Sequence, residues 1–431
     1  MISPARITLL LMLVAASACP GARPCREDAQ CDDRQRCVIA AGADVGSCAP
    51  DGGEGEGEGE GEGEGEGEGE GEGEGEGDDL HVVAVDVGVA FGCMLDSDAR
   101  VQCWGGNGAG QLGRSTPQQS DNEPAPVLTV SEVEDLAVGE RHVCVIGRFG
   151  GTRTVACWGD GTNGTLGTAA VSPAGTLVEP SLPPSLLANV IDVDADGVSS
   201  TGLTCATDGG EVWCFGPGYS SRSDGAAVQE PALGLSRTLL VSTHAICGAP
   251  AGGPSTCVHL DAGFVAATGC AEGMPCDALG DDLARVALGP GTVCVIDGAQ
   301  IRCSGDNDAG VVVPSAPGSP FAGFRDTHAG SQVSIGAQHA CGIVENDGVA
   351  CWGRVLFFST GNDSGPLSCV GAQCQDVSPV PISAGFAPWA EVRARSYGAC
   401  ARSVAGRLVC WGSLFGNANE GSPPQAIFPS Q

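Results

Sequence analysis

The chain contains no lysine: all 20 of its basic residues are arginine. Schiff-base chemistry, a phosphate-loop lysine and a Ser-Lys dyad are thereby excluded. Basic residues are scarce altogether. Against 53 Asp and Glu they leave a net charge of −33, the opposite of the basic footprint that nucleic-acid binding needs. Aromatics are only 4% of the residues, a thin supply for sugar-stacking platforms. No G-x-S-x-G or H-E-x-x-H is present, and no G-x-G-x-x-G lies between a strand and a helix. The one long apolar run, ITLLLMLVAASA from Ile7 to Ala18, is too short to span a bilayer.

Cysteine is plentiful, with 23 residues, and fourteen of them recur in one arrangement. In GVAFGCMLDSDARVQCWGGNGAGQLG, from Gly88 to Gly113, two alternating apolar runs each carry a cysteine and meet at a short polar turn. Such alternation reads as a β-hairpin. Pairing Cys93 with Cys103 sets Leu95 opposite Val101 on one face and leaves Met94 and Gln102 on the other. The same form returns at Cys144 and Cys157, Cys205 and Cys214, Cys247 and Cys257, Cys294 and Cys303, Cys341 and Cys351, and Cys400 and Cys410. Separations of nine place two-residue turns at Gly209-Gly210 and Gly298-Ala299, where glycine suits strand twist. Opposed cysteines on neighbouring strands lie within disulfide reach, buried free thiols being the alternative. Seven units spaced by roughly 50 residues point to a propeller or solenoid, because no single unit can bury its own faces.

The recurring LAVGERHVCVI, VACWG and GNGAGQLG resemble repeats of the regulator-of-chromosome-condensation family over about residues 80–431, and the bacterial, exported branch carries such cysteine pairs. The resemblance implies an all-β, seven-bladed β-propeller of four-stranded antiparallel blades. The GQLG corner is intact only at Gly110–Gly113 and nearly so at Gly164–Gly167. The unit around Cys247 keeps little beyond its cysteines.

In chain order, residues 1–18 read as a secretory signal. Of the remaining cysteines, Cys270 pairs with Cys276 and Cys369 with Cys374 in loops. Cys25, Cys31, Cys37 and Cys48 pair among themselves in a small module spanning 19–50. Cys19 is then the odd one, directly after Ala18, and lipid attachment explains it. Residues 51–79 hold a Gly/Glu alternation with twelve glutamates, read as a disordered acidic tether of roughly 30 Å or more. The propeller, 80–431, stays acidic without it. Pro-led segments recur between units and mark outer strands. The tail Gln425–Phe428 has that form and is expected to complete the sheet containing Val82–Val87.

Candidate sites are few. His142 and His339 hold equivalent places that Phe91 and Thr292 fill elsewhere, which reads as packing. Trp104, Trp158, Trp352 and Trp411 recur as blade packing, leaving Trp213, Trp389, Tyr219 and Tyr397 unexplained. Asp192, Asp194 and Asp196 resemble the start of a calcium loop, yet the twelfth position is Leu203, and the repeat frame places Asp192 on a strand. The expectation is a monomeric, non-enzymatic, lipid-anchored lipoprotein of the cell envelope, on the outer membrane or cell surface. It requires no cofactor and binds a surface protein through one propeller face. The alternatives are an exported inhibitor of an extracellular enzyme and a polysaccharide-active enzyme.

Overall fold

The computed structural model describes residues 80–114, 119–168, 176–197, 202–217, 219, 225–313, 318–344, 348–354, 388–415 and 422–429, with the backbone of 24–25, 35–38 and 46–50. The chain divides into two compact units, Met1–Gly75 and Glu76–Gln431. In the first, Pro24–Cys25, Gln35–Val38 and Gly46–Pro50 form an antiparallel sheet with the third strand in the middle. Cys37 stands opposite Cys48. The bonding of Cys25, Cys31, Cys37 and Cys48 and the state of Cys19 lie outside the described residues. So does the disulfide expected between Cys369 and Cys374, because both cysteines fall in the stretch 355–387.

The second unit is a β-propeller with four-stranded blades, and its first repeat shows how sequence builds one. Val82–Val87, Phe91–Asp96, Val101–Gly106 and Ser120–Pro126 pair in that order. The hairpin register sets Cys93 against Cys103, Met94 against Gln102 and Leu95 against Val101. Asp96, only 1% exposed, shapes the turn. Its Oδ1 accepts the Asp98 and Arg100 amides at 3.0 and 2.9 Å, and its Oδ2 accepts Gln102 Nε2 at 2.8 Å. The buried carboxylate is therefore satisfied on both oxygens, as burial demands. The outer strand contains Pro124 and Pro126, which lack amide protons. Arg114 offsets this by donating to the Cys103, Ala125 and Glu123 carbonyls at 2.7, 3.1 and 3.2 Å.

Each of the seven hairpins carries a disulfide: Cys93–Cys103, Cys144–Cys157, Cys205–Cys214, Cys247–Cys257, Cys294–Cys303, Cys341–Cys351 and Cys400–Cys410, with Cα atoms 4.0–4.1 Å apart. Cys270–Cys276 closes a smaller loop. The turn at Gly298-Ala299 is two residues long. At Gly209-Gly210 the last paired residues are Thr207 and Val212, so that loop has four.

Two expectations are corrected. The tail strand Ser422–Ile427 pairs with Leu408–Gly412 of the last hairpin, not with Val82–Val87. Each Pro-led strand closes the repeat before it, so the first repeat already owns Ser120–Pro126 and lacks nothing. The ring instead closes face to face: Val82, Val85 and Met94 pack with Leu408, Leu414 and Ile427, and the Val82 amide donates to the Gly406 carbonyl at 2.9 Å. Second, the described residues of the propeller form six sheets where seven separate blades were expected. The strand Gly318–Ile335 runs unbroken through 18 residues. Its first part pairs with Gln300–Asn307 of the fifth repeat and its second with His339–Val344 of the sixth, fusing both into one six-stranded sheet.

Between neighbouring repeats the core is built on the Trp of each CWG. Trp104, Trp158, Trp352 and Trp411 are wholly buried. Trp158 Nε1 donates to the Gln111 carbonyl and Trp352 Nε1 to the Val311 carbonyl, each at 2.9 Å. The acceptors sit in the corner of the preceding repeat, so these two indoles bury their rings and satisfy their one donor across the seam. The fifth corner, Asn307–Val312, has lost GQLG in sequence but keeps its geometry. Asn307 Oδ1 accepts the Val312 amide at 2.9 Å as Asn107 Oδ1 accepts that of Leu112 at 3.0 Å. In the fourth repeat a helix, Ala262–Thr268, replaces the corner and buries Phe264. Asp261 caps it, accepting the Phe264 amide at 2.6 Å.

Candidate functional site

The first strand of every repeat lines one central channel. Segments Ala84–Asp86, Glu134–Leu136, Asp192–Asp196, Thr238–Val241, Val286–Gly289, Gln332–Ile335 and Glu391–Arg395 surround a cavity of about 550 Å³. Alternation places every second side chain of these strands on the face toward the following repeat. Their channel edges have no further strand to pair with, which leaves backbone amides to be satisfied.

Side chains do this, one repeat to the next. Asp86 Oδ2 accepts the Val138 amide at 2.8 Å, and Asp135 Oδ2 that of Val193 at 3.0 Å. Asp192, Asp194 and Asp196 accept the amides of Leu239, Val241 and Thr243 at 2.7, 2.6 and 3.0 Å. Between the sixth and seventh repeats Gln332 and Ser334 take the same part toward Val392 and Ala394, at 2.6 and 2.9 Å. The resemblance of DVDADG to a calcium loop thus resolves into three carboxylates on a strand, each bound to its neighbour's backbone. Among the described residues no group of three or more His, Cys, Asp or Glu is arranged to hold a metal ion.

Crowding carboxylates inside the channel alters their acidity. The walls strip solvent from Asp192, and the charges of Asp135 and Asp194 add to the effect, lifting its pKa to about 8. Asp194 is lifted to about 7, chiefly by burial. Asp86 and Asp135 are raised for the same reason, opposed at Asp86 by Arg395 and Arg393 and at Asp135 mainly by its amide hydrogen bonds. The seventh repeat supplies the cations. Arg393 Nε donates to Glu391 Oε1 at 3.0 Å, and Arg395 pairs with Asp196.

The other sequence candidates lie apart from this channel cluster. Phe91, His142 and His339 stack over Gly88, Gly139 and Gly336, where a Cβ would come within 2.0–2.3 Å of the ring. Thr292 donates to the Asp306 carbonyl at 2.9 Å. His142 Nε2 is 2.8 Å from Thr204 Oγ1, while neither ring nitrogen of His339 has a partner among the described residues. Burial pushes both imidazoles down to about 4. Trp213 Nε1 donates to Glu211 Oε2 at 3.0 Å, and Tyr219 Oη to Glu230 Oε2 at 2.9 Å. Trp389 is buried, and the Tyr397 carbonyl accepts the Ser413 amide at 3.1 Å. Sequence reasoning missed Arg393 and Arg395. Their signal was the alternation in Glu391-Val392-Arg393-Ala394-Arg395, where arginine stands in the places that Asp194 and Asp196 hold in Asp192–Asp196.

Two family models, both described as regulator of chromosome condensation (RCC1) repeat, match residues 82–111 and 98–146. Among solved structures, yeast RCC1 (Prp20) bound by Kap60 is similar at 16% identity and a TM-score of 0.59, covering 76% of this chain and 83% of that one. The Saccharomyces cerevisiae Prp20p structure, described with its binding properties to Gsp1p and histones, is similar at 17% identity with the same TM-score, covering 76% and 86%. With the repeat hairpins, tryptophan seams and central channel in place, this chain is a β-propeller whose residues 82–146 match the RCC1 repeat.

Proposed function

We propose that the propeller is a non-enzymatic scaffold that binds another protein through its corner-loop face. The fold-level likeness to Prp20 carries this reading, since that protein's structures are described with Kap60 and with binding to Gsp1p and histones. Those partners are not transferred. The disulfide-bonded hairpins suit an oxidising environment outside the cytosol, and the acidic charge disfavours nucleic acid. The choice of face follows from the chain path. Val82 begins, and Ile427 ends, at the hairpin-turn end of the ring. The corners at Asn107–Gly113 and Thr162–Gly167 lie on the opposite face, which we take as the binding one. We read the seven hairpins and seven channel-lining strands as seven blades, the fused sheet counting as two. The chain is placed in the cell envelope by lipid on Cys19 after removal of residues 1–18, with 51–79 as spacer. A disulfide between Cys369 and Cys374 would close a further loop in the same oxidising compartment.

Affinity capture from the cell surface tests the reading, with Arg141→Glu and Asn163→Arg on the corner face and Leu128→Asp on the turn face. The corner variants are expected to lose a protein that wild type and Leu128→Asp both retain. Equal capture by all, or turnover of a surface polysaccharide with no captured protein, refutes the scaffold. Cys19→Ala is expected to release the chain into the soluble fraction. Unchanged membrane association rules out the anchor.

A further inference from the structure

The inner strands follow one another round the ring in chain order, with Trp389–Arg395 lying against Val82–Val87. The third and seventh repeats are therefore not neighbours: the first and second lie between them on one side, and the fourth to sixth on the other. Arg395, at the end of the seventh inner strand, nevertheless reaches Asp196, at the end of the third. Its Nη1 pairs with Asp196 Oδ1, and its Nη2 donates to the Ala195 carbonyl at 3.2 Å. The guanidinium thus crosses the channel at the corner-loop mouth. Asp196 meanwhile holds the Thr243 amide with its other oxygen, so one carboxylate joins the third, fourth and seventh repeats.

We propose that Arg395 is a strap across the channel mouth, occupying from within a guanidinium site formed by Asp196 Oδ1 and the Ala195 carbonyl. The planar fork of an arginine suits two acceptors side by side. Both partners keep contact with water, at 22% and 17% side-chain exposure. The contact is a single part-exposed ion pair, of the kind that can open locally without unfolding the ring. Behind it the 550 Å³ channel is lined by Asp86, Asp194 and Arg393. Released, Arg395 leaves Asp196 able to accept a guanidinium brought by another molecule.

Amide hydrogen exchange on the mature, disulfide-bonded chain tests this. Arg395→Ala is expected to speed exchange in Ser236–Thr243 by about threefold to fivefold, the equivalent of the upper range for such a pair. The hairpin His142–Gly159 should stay at wild-type rates. Methylguanidinium at millimolar concentration should restore protection in Arg395→Ala and have no effect in Arg395→Ala/Asp196→Asn. Arg395→Lys, which keeps the charge but cannot hold both acceptors, should fall between wild type and alanine, and it serves if the alanine variant folds poorly. Unchanged exchange at Ser236–Thr243, a uniform rise in every repeat, or rescue that persists without the Asp196 carboxylate overturns the proposal.

Discussion

A buried imidazole must satisfy two ring nitrogens, and the second and sixth repeats do so unequally. His142 finds the hydroxyl of Thr204, the residue just before Cys205 in the next repeat. In the repeat after His339 the corresponding residue, just before Cys400, is Ala399. Thr204→Ala should therefore cost about 1–3 kcal/mol by leaving His142 bereft, and Ala399→Ser should return about 0.5–1.5 kcal/mol at His339. Urea denaturation of the two variants measures both. A neutral Thr204→Ala would show that the hydrogen bond is immaterial. The recurrence of GxxH in sequence was enough to read these histidines as packing, because the glycine three residues earlier makes room for the ring. Their unequal bonding was hidden, since it depends on which residue of the following repeat lands opposite. His259 shows the converse: it takes φ +55°, where six repeats place glycine two residues after the second cysteine. Its identity gave no sign of that conformation.

Among the elements, the inner strand Asp192–Asp196 governs the response to pH. Asp192 and Asp194 bind protons more tightly in the folded chain, near pH 8 and 7, than in the unfolded one, near 3.8. Their contribution to stability is complete below about pH 4 and lost as pH rises through 7 to 8. His142 and His339 act oppositely. Their folded values near 4 lie below 6.5, so stability declines as pH falls from 6.5 toward 4. Thermal stability should hence decline from pH 6.5 to 8.5, and Asp192→Asn should flatten that decline while still accepting the Leu239 amide. An equally steep decline in the variant would remove Asp192 as its source. The strand itself was legible in IDVDADG. Its task was not, because a carboxylate that bridges to a neighbouring strand is written no differently from one that faces solvent. The outer strands were legible too, through their prolines, but assigned to the wrong repeat. Sequence order alone does not say which hairpin a Pro-led segment will join. Truncation after Gly421 removes the seventh repeat's outer strand and bares the edge of Leu408–Gly412. A lower melting temperature and concentration-dependent association are expected in calorimetry and light scattering. A monomer of unchanged melting temperature would show the strand to be dispensable.

At the scale of the whole molecule, each hairpin disulfide is at most 1% exposed and closes inside its own repeat. Loops of about ten residues contribute roughly 2.5–3 kcal/mol each in the chain-entropy account. Reductant and iodoacetamide without denaturant should label none of these fourteen cysteines, and peptide mapping should recover Cys93 with Cys103 and Cys341 with Cys351. Labelling of the native chain would mean that the hairpins open readily. The repeat and its period were plain in the sequence because each unit carries its own cysteines. The merging of two sheets along Gly318–Ile335 was not, since nothing in that stretch marks a strand that serves two neighbours.

Locality of the crosslinks also bears on biogenesis. A chain that emerges from its N-terminus during synthesis exposes both thiols of one hairpin before those of the next. With hairpin partners never more than 13 residues apart, each pair can close as its own hairpin forms, and native pairing needs no later reshuffling. Oxidative refolding in a glutathione buffer should then gain little speed from added disulfide isomerase. A large acceleration would reveal pairings scrambled between repeats.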